Sequence, residues 1–330
     1  MNELALAAFA AERGAHLIRE PHDRAYTAFK RSFDEPGYLA RLQAVGVGWL
    51  ARSNDVFPPL LGAIHDPPAG LFVRGAAEVD LLGRAAVGIV GARSCSPYGA
   101  QVARMLGREL AAAGLVVVSG LARGIDGEAH RGALEAGGET VAVLGCGIDR
   151  DYPASHAELA ARIRETGLAV AEYAPGVEPA PWRFPARNRI IAGLCAATIV
   201  VEARERSGAL ITADLALEEG REVLAVPGEI TAALSRGTND LLRLGATPLT
   251  ASGDVLELFG LAPATATATA TAVELTEVAN RVLRHLRDGP ASADELGRRT
   301  GLEAGALASA LTELELAGVA LAAGGVFRAN

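Results

Sequence analysis

Lysine, cysteine and aromatic residues are scarce in this chain of 330 residues. The three cysteines, Cys95, Cys146 and Cys195, lie far apart and form no CxxC pair, which excludes a disulfide framework and a cysteine-based zinc site. No apolar run reaches the roughly 18 residues that a membrane span needs. The first residues lack a basic segment ahead of their apolar stretch, so no secretory signal is predicted. We therefore expect a cytoplasmic protein without a membrane partner.

The positive charge of the chain is almost entirely arginine, because Lys30 is the single lysine. The formal net charge of -8 excludes a polycation that binds nucleic acid with its whole surface, but it leaves room for a local basic groove. A planar guanidinium suits phosphate better than a flexible ammonium does. Because 50% of the residues are hydrophobic, the chain can bury a large core in two or three domains.

Composition and periodicity divide the chain into four parts. Residues 1–80 contain helical segments broken by proline, and residues 81–260 alternate between strand and helix patterns. Alanine and threonine alternate within residues 261–272, a composition typical of a linker. Residues 273–330 predict three helices followed by a short β-wing, which together indicate a winged helix-turn-helix domain.

Six short β-branched runs alternate with amphipathic helical segments in the second part. The runs are AVGIVG (86–91), LVVVSG (115–120), TVAVLG (140–145), LAVAEY (168–173), ATIVVEA (197–203) and EVLAVPG (222–228). Strands without polar alternation are buried on both faces, and the helices between them predict a mostly parallel sheet. The fold class is therefore α/β, with a doubly wound sheet whose ligands bind at the carboxyl ends of the strands.

Arginine and glycine occur together in two loops that follow neighbouring predicted strands. GIVGARSCSPYGAQ (88–101) carries Arg93, and its glycine spacing differs from that of the dinucleotide fingerprint. VSGLARGIDGEAH (118–130) carries Arg123 and ends at His130, which we expect at the exposed start of a helix. Backbone N–H groups at a helix start, together with a guanidinium, suit a phosphate. The alternative is a pair of tight turns whose polar residues cap the following helices.

A third basic segment, FPARNRIIAG (184–193), predicts a helix that begins at Arg187. Arg187 and Arg189 would then lie at the positive end of the helix dipole, where a bound anion relieves their repulsion. Phe184 adds an aromatic face beside these charges, and this combination is typical of single-stranded nucleic acid tracks. The alternative is a core aromatic residue flanked by solvated arginines.

Two further loops offer short polar groups at the same predicted sheet edge. Ser207 and Gly208 begin a helix after the fifth strand, and Thr238 and Asn239 precede a helix after the sixth. The chain has no HExxH or GxSxG motif and no clustered carboxylate pair. We therefore expect a binding protein that is not an enzyme and that uses no cofactor and no metal.

Taken in order, GIVGAR, VSGLARGID, FPARNRIIAG, SGALITAD, VLAVPG and RGTNDLLRLGA resemble the DNA-processing protein A family, also called DprA or Smf. The resemblance covers residues 86–260 and implies an extended Rossmann-like domain that binds single-stranded DNA without base chemistry. It also implies a homodimer that protects incoming strands and loads the RecA recombinase during natural transformation and recombination, with single-strand-binding protein as a further partner. Many relatives carry a SAM-like or helix-hairpin-helix domain at the place of the first forty-odd residues, but its hairpin pattern is not evident in this chain.

The resemblance also implies contacts for single-stranded DNA at Gly91, Ala92, Arg93, Ser119, Gly120, Arg123, Gly124, Phe184, Arg187, Asn188 and Arg189. Relatives often have a lysine shortly before the phenylalanine, and Arg183 takes that place here. The family's dimer interface falls near residues 236–260, where Leu241, Leu242 and Leu244 supply apolar side chains.

Two other functions fit a fold of this class. One is a nucleotide-binding or nucleotide-hydrolysing enzyme that resembles the LOG phosphoribohydrolases, whose hallmark is PGGxGTxxE. Here the corresponding segment is ARERSGALITADLALEE, without the GG and GT pairs. The other is a nucleotide-sensing transcription factor, but the third C-terminal helix lacks Lys and Arg and carries Glu303, Glu313 and Glu315. We expect the winged helix to contact protein, or to bind duplex DNA only weakly.

Overall fold

The computed structural model describes four stretches of the chain: residues 2–15, 21–261, 275–323 and 325–329. The chain divides into two units, Met1–Ala264 and Thr265–Asn330. The predicted linker, 261–272, lies outside the described residues except for Leu261. In the described stretches, each helix is too short or too polar to cross a membrane.

The first unit contains the doubly wound sheet and the helices around it. Its strands are β1 Gly48–Ala51, β2 Gly70–Gly75, β3 Ala86–Val90, β4 Val116–Ser119, β5 Thr140–Leu144, β6 Leu168–Ala171, β7 Ala197–Val200, β8 Glu222–Ala225 and β9 Thr247–Pro248. Its α-helices are α1 Glu3–Arg13, α2 Arg24–Ser32, α3 Glu35–Ala44, α4 Pro59–Gly62, α5 Pro97–Ala112, α6 Ile125–Glu135, α7 Ala157–Thr166, α8 Arg183–Leu194, α9 Gly208–Glu218, α10 Arg236–Arg243 and α11 Ser252–Leu258. Two 3-10 helices cover Val79–Gly83 and Ala154–His156.

The nine strands form one sheet in the order β1-β2-β6-β5-β4-β3-β7-β8-β9. The strands from β3 to β9 are parallel, whereas β2 pairs antiparallel with both β1 and β6. All six predicted strands are confirmed, as is the mostly parallel α/β sheet. The boundary predicted at residue 80 is wrong as a division between folded units, because β1 and β2 precede it and still belong to this sheet.

Successive residues of the central strands are buried on opposite faces of the sheet. In β4, Val116 and Val118 pack in the core that contains residues of α8 and α9, whereas Val117 packs in the core that contains residues of α5 and α6. A third cluster covers the end of the sheet near β6 and includes Leu159 and Ile163 of α7. Helices therefore cover both faces, as the unbroken apolar runs predict.

The second unit is the predicted winged helix, and the predicted N-terminal helical region comprises α1 to α3 of the first unit. Its elements are α12 Glu277–Arg287, β10 Ala291–Ser292, α13 Ala293–Thr300, α14 Ala304–Leu316, β11 Ala320–Ala323 and β12 Val326–Ala329. The three strands form a sheet in the order β10-β12-β11. The hydroxyl of Ser292 accepts a hydrogen bond from the backbone N–H of Glu295 at 3.3 Å and so caps the start of α13.

Candidate functional site

The order of the strands opens a cleft between β3 and β7. The chain adds β4, β5 and β6 on one side of β3 and then returns to add β7 and β8 on the other side. At the ends of the two central strands Val90 lies opposite Val200, and the helices that follow, α5 and α9, cover opposite faces of the sheet. A cleft with a volume of about 400 Å³ lies at this point. Such a reversal of strand order is the usual ligand site of an open α/β sheet.

Glu202 ties together the two loops that border the switch-point cleft. Its backbone carbonyl accepts a hydrogen bond from the N–H of Ala92 at 2.7 Å. Its buried carboxylate accepts two more from the loop after β3, one from the N–H of Ser96 at 2.8 Å and one from the Ser96 hydroxyl. The same hydroxyl accepts from the N–H of Gly99 at 3.0 Å and so caps α5. Both loops are therefore fixed before any ligand arrives.

Three exposed arginines, Arg93, Arg204 and Arg206, line the switch-point cleft. The guanidinium carbon of Arg93 lies 5.2 Å from the ring centroid of Phe184, which lines the cleft as well. In the part of the chain that the structure describes, the side chains of Arg204 and Arg206 have no ion-pair partner. Three guanidinium groups with little internal neutralisation make the rim of the cleft strongly basic.

The N-terminus of α9 opens into the same cleft. Ser207, Gly208 and Ala209 line it, and the Ser207 hydroxyl accepts a hydrogen bond from the N–H of Ala209 at 3.3 Å. Helix N-termini carry partial positive charge and free N–H donors, so this one reinforces the arginines in favouring an anion. The sequence did contain the signal for Arg204 and Arg206, because both stand just ahead of this helix start in ARERSG, but they were not predicted.

The helix of the FPARNR segment begins one turn earlier than predicted. Helix α8 starts at Arg183, with Pro185 in its first turn. Proline is tolerated there because the first N–H groups of a helix have no acceptor within it. Arg187 consequently lies in the second turn, and its predicted place at the positive end of the helix dipole is wrong. It is a buried residue with only 3% of its surface exposed.

The guanidinium of Arg187 forms hydrogen bonds with the protein's own backbone. Its Nη1 donates hydrogen bonds to the carbonyl of Gly120, at 2.9 Å, and to the carbonyl of Val143. Gly120 is needed for this contact, because a Cβ atom there would lie 2.4 Å from Nη2 of Arg187. Arg187 therefore joins α8 to the ends of β4 and β5 beneath the cleft.

A buried carboxylate accompanies this buried cation. Asp126 is buried and accepts hydrogen bonds from the N–H groups of Gly120 and Ala122, at 3.1 and 3.4 Å. Burial raises the pKa of Asp126, and the charge of Arg187 opposes that shift. Burial lowers the pKa of Arg187 to about 10, against the attraction of Asp126. The two groups form a buried polar layer beneath the cleft.

His130 belongs to the same buried layer, so its predicted exposure is wrong. The Thr140 hydroxyl donates to the Val117 carbonyl at 2.6 Å and can only accept from the Nδ1–H of His130, 2.7 Å away. The ring is fully buried, and its Nε2 finds no partner among the described residues. Burial, with smaller contributions from His156 and Arg187, lowers the pKa of His130 to about 3.

Arg189 and Arg183 do not belong to the lining of the switch-point cleft. Arg189 forms an ion pair with Glu172, in which its Nη2 donates to both carboxylate oxygens, at 2.6 and 2.8 Å. Arg183 donates to the carbonyl of Glu178, and its guanidinium carbon lies 4.8 Å from the ring centroid of Trp182. Both arginines are thus committed to interactions within the first unit.

The loop after β4 contributes to packing. The Ser119 hydroxyl is buried and donates to the Ile89 carbonyl at 2.6 Å. Gly124 has a φ of +74°, and a Cβ atom there would lie 2.2 Å from the carbonyl oxygen of Ala92, so only glycine allows the two loops to approach. Arg123 is exposed on this loop but is not part of the cleft lining.

The predicted polar residues of α10 are also structural. The buried Thr238 hydroxyl donates to the Ser235 carbonyl at 3.1 Å. The Asn239 side chain bonds to both backbone groups of Gly228, accepting from its N–H at 3.2 Å and donating to its carbonyl at 3.0 Å. Of the leucines predicted for a dimer interface, Leu241 is buried in the core, whereas Leu244 at the end of the helix is 81% exposed.

The structure thus separates the predicted contact residues into two groups. Eight line the switch-point cleft: Gly91, Ala92, Arg93, Phe184, Arg187, Asn188, Ser207 and Gly208. Asn188 is mostly buried and donates to the carbonyl of Gly208 at 3.2 Å, which ties α8 to the start of α9. The others lie outside the lining: Ser119, Gly120, Arg123, Gly124, Arg183, Arg189, Thr238 and Asn239.

Comparison with protein families gives two matches. The model described as DNA recombination-mediator protein A matches residues 49–260, and the model described as the DprA winged helix domain matches residues 266–325. DNA processing protein DprA of Streptococcus pneumoniae is 47% identical over 206 residues, 62% of this chain and 72% of that protein. Protein Smf of Escherichia coli is 39% identical over 297 residues, 85% of this chain and 79% of that protein.

Two solved structures resemble the chain in fold as well as in sequence. DNA processing protein A from Streptococcus pneumoniae superposes with a TM-score of 0.67 at 38% identity, covering 77% of this chain and 92% of that chain. DNA processing protein A from Helicobacter pylori, whose structure describes that protein's single-stranded DNA binding mode, superposes with a TM-score of 0.58 at 31% identity. The latter match covers 64% of this chain and 95% of that chain.

Proposed function

The chain belongs to the DNA recombination-mediator protein A family, and from this we propose that it binds single-stranded DNA in the switch-point cleft. The observation that carries the proposal is the set of exposed arginines, Arg93, Arg204 and Arg206, beside the N-terminus of α9. These donors face solvent and can each take a phosphate oxygen. The relative from Helicobacter pylori, for which a single-stranded DNA binding mode is described, supports the choice of ligand.

The exposed and the buried arginines have different parts in this proposal. Arg93, Arg204 and Arg206 bind phosphates, while the ring of Phe184 supports the guanidinium of Arg93 at the edge of the cleft. Arg187 and Arg189 hold α8 in place through the Gly120 carbonyl and the Glu172 carboxylate, and they do not contact DNA. Little sequence preference is expected, because phosphates and aromatic faces do not distinguish one base from another.

The cellular part of the proposal follows from the family. We propose that a cytoplasmic homodimer protects incoming single strands and loads the RecA recombinase during natural transformation and recombination, with single-strand-binding protein as a further partner. The exposed Leu244 and the partly buried Leu242 remain the candidates for the dimer contact, while Leu241 supports them from the core. No catalytic step and no cofactor form part of this function.

A salt titration of DNA binding tests the proposed site. We expect the wild type to bind oligo(dT) more tightly than duplex DNA of equal length, with an affinity that falls steeply with salt. In the triple variant R93A/R204A/R206A the affinity should drop more than about tenfold and the salt slope by about 2, since each phosphate contact on single strands contributes about 0.7.

Arg108→Ala is the matched control, because Arg108 is an exposed arginine of α5 outside the cleft lining. Its oligo(dT) affinity and salt slope should equal those of the wild type. An unchanged affinity in the triple variant, or an equal loss in the control, would overturn the assignment of the cleft as the DNA site.

A further inference from the structure

A row of stacked side chains leads out of the switch-point cleft toward the end of β5. The guanidinium of Arg93 lies against the ring of Phe184, with 5.2 Å from its carbon to the ring centroid. The ring of Tyr152 lies against the same phenylalanine, with 5.3 Å between centroids and 29° between planes, a stacked arrangement. Three side chains from separate segments thus form one continuous row.

Neighbouring groups cover much of the ring of Phe184. Its ring packs on the backbone at Gly145, where an added Cβ atom would lie only 2.7 Å from Cδ1 of Phe184. Arg93 and Tyr152 cover further parts of the ring. A base that reached the row would therefore find limited free surface on Phe184 itself.

Tyr152 has more free aromatic surface than Phe184, which is only partly exposed. It is 44% exposed, although one side of its ring is held by the stack on Phe184. Tyr152 lies in the segment between β5 and the 3-10 helix Ala154–His156, and its stack on Phe184 sets the orientation of its ring. An exposed ring whose orientation is set in advance loses little conformational entropy when a base stacks on it.

We propose that Tyr152 is a base-stacking platform and that the bound strand leaves the cleft across the end of β5. The phosphates held by Arg93 and its neighbours place the backbone beside Phe184, and the next base along the strand stacks on the solvent side of Tyr152. Since this inference rests on the proposed function, its test must separate loss of the platform from loss of DNA binding altogether.

The test compares Tyr152→Ala with Tyr152→Phe on oligo(dT) of increasing length. A platform outside the cleft serves only strands long enough to reach it. We therefore expect Tyr152→Ala to bind the shortest oligonucleotides like the wild type and to lose about tenfold in affinity on longer ones, as one lost stacking contact predicts. Tyr152→Phe should bind like the wild type at every length, because stacking needs the ring and not the hydroxyl.

Two further measurements complete the experiment. Tyr98→Ala removes an aromatic residue of similar exposure, 39%, from α5 and should leave affinity unchanged at all lengths. Photocrosslinking with oligonucleotides that contain 5-iodouracil should attach DNA to Tyr152 in the wild type.

Different outcomes test the stacking platform and the proposed DNA binding. An equal loss at all lengths in Tyr152→Ala would mean that Tyr152 only supports Phe184, and no loss would mean that the strand takes another path; either result overturns the platform. A wild type that fails to bind oligo(dT) at every length would instead overturn the proposed function.

Discussion

Arg187 and Arg206 both line the switch-point cleft, yet one bonds to the protein itself and the other faces solvent. Arg187 is 3% exposed and gives its donors to backbone carbonyls, whereas Arg206 is exposed and its charge faces solvent. A buried guanidinium contributes to the fold, because its removal leaves desolvated partners behind. A solvated one contributes little to the fold and keeps its donors for a ligand. The buried arginines of a basic motif therefore have to be distinguished from its exposed arginines before the motif is interpreted as a binding site.

Replacing the buried cation should have the largest effect. We expect Arg187→Met to lower the free energy of unfolding by about 3–5 kcal/mol, because the Gly120 carbonyl loses a donor and Asp126 loses its counter-charge. Urea denaturation followed by circular dichroism measures the change. Adding Asp126→Asn should recover part of the loss, and a loss below about 1 kcal/mol in Arg187→Met would show that the buried pair is not needed for stability.

Acidification should destabilise the same buried layer by a smaller amount. His130 has a folded-state pKa of about 3 and a usual value of 6.5, so its contribution to stability is complete above pH 6.5. As the pH falls below 6.5 the unfolded chain takes up a proton that the folded chain refuses, and about 1.4 kcal/mol is lost per pH unit.

The pH effect is checked by denaturation between pH 7 and about 5, where most carboxylates of the unfolded chain are still ionised. In His130→Gln this part of the pH dependence should disappear. A wild-type stability that stays constant between these pH values would mean that His130 is solvated in solution.

Replacing the exposed cation should have the smallest effect on the fold. We expect Arg206→Ala to change the free energy of unfolding by less than about 0.5 kcal/mol. The same variant should bind oligo(dT) with a salt slope reduced by about 0.7, the contribution of one phosphate contact. A variant that loses stability without changing the slope would reverse the assignment of Arg206 and make it a structural residue.

The sheet was predictable from sequence because its strands are buried on both faces and therefore read as unbroken apolar runs. Strands β1 and β2 were missed because GWLA and GLFVRG are short and lie among prolines, so the local pattern resembles a loop. The start of α8 was misplaced because Pro185 looks like a helix boundary, although the first turn of a helix accepts proline.

The buried position of Arg187 could not be predicted from the sequence, because it depends on a residue far away in the chain. Nothing in FPARNR distinguishes Arg187, which turns inward to the ends of β4 and β5, from an arginine that meets solvent. That difference depends on Gly120, a residue 67 positions away whose missing side chain leaves room for the guanidinium. Tertiary contacts of this kind decide which arginines are available, and local patterns cannot report them.

The antiparallel strands at one margin of the sheet also determine which strand edges are left unpaired. Without β2, the backbone of β6 at Leu168–Ala171 would present unpaired N–H and C=O groups along an apolar strand, a template on which another chain could add itself. The margin that remains, β1, has only four residues, and the opposite margin, β9, has two and ends in Pro248, which cannot donate to a further strand. Strands β1 and β2 therefore cover the apolar edge of β6 and leave only short strands at the two margins of the sheet.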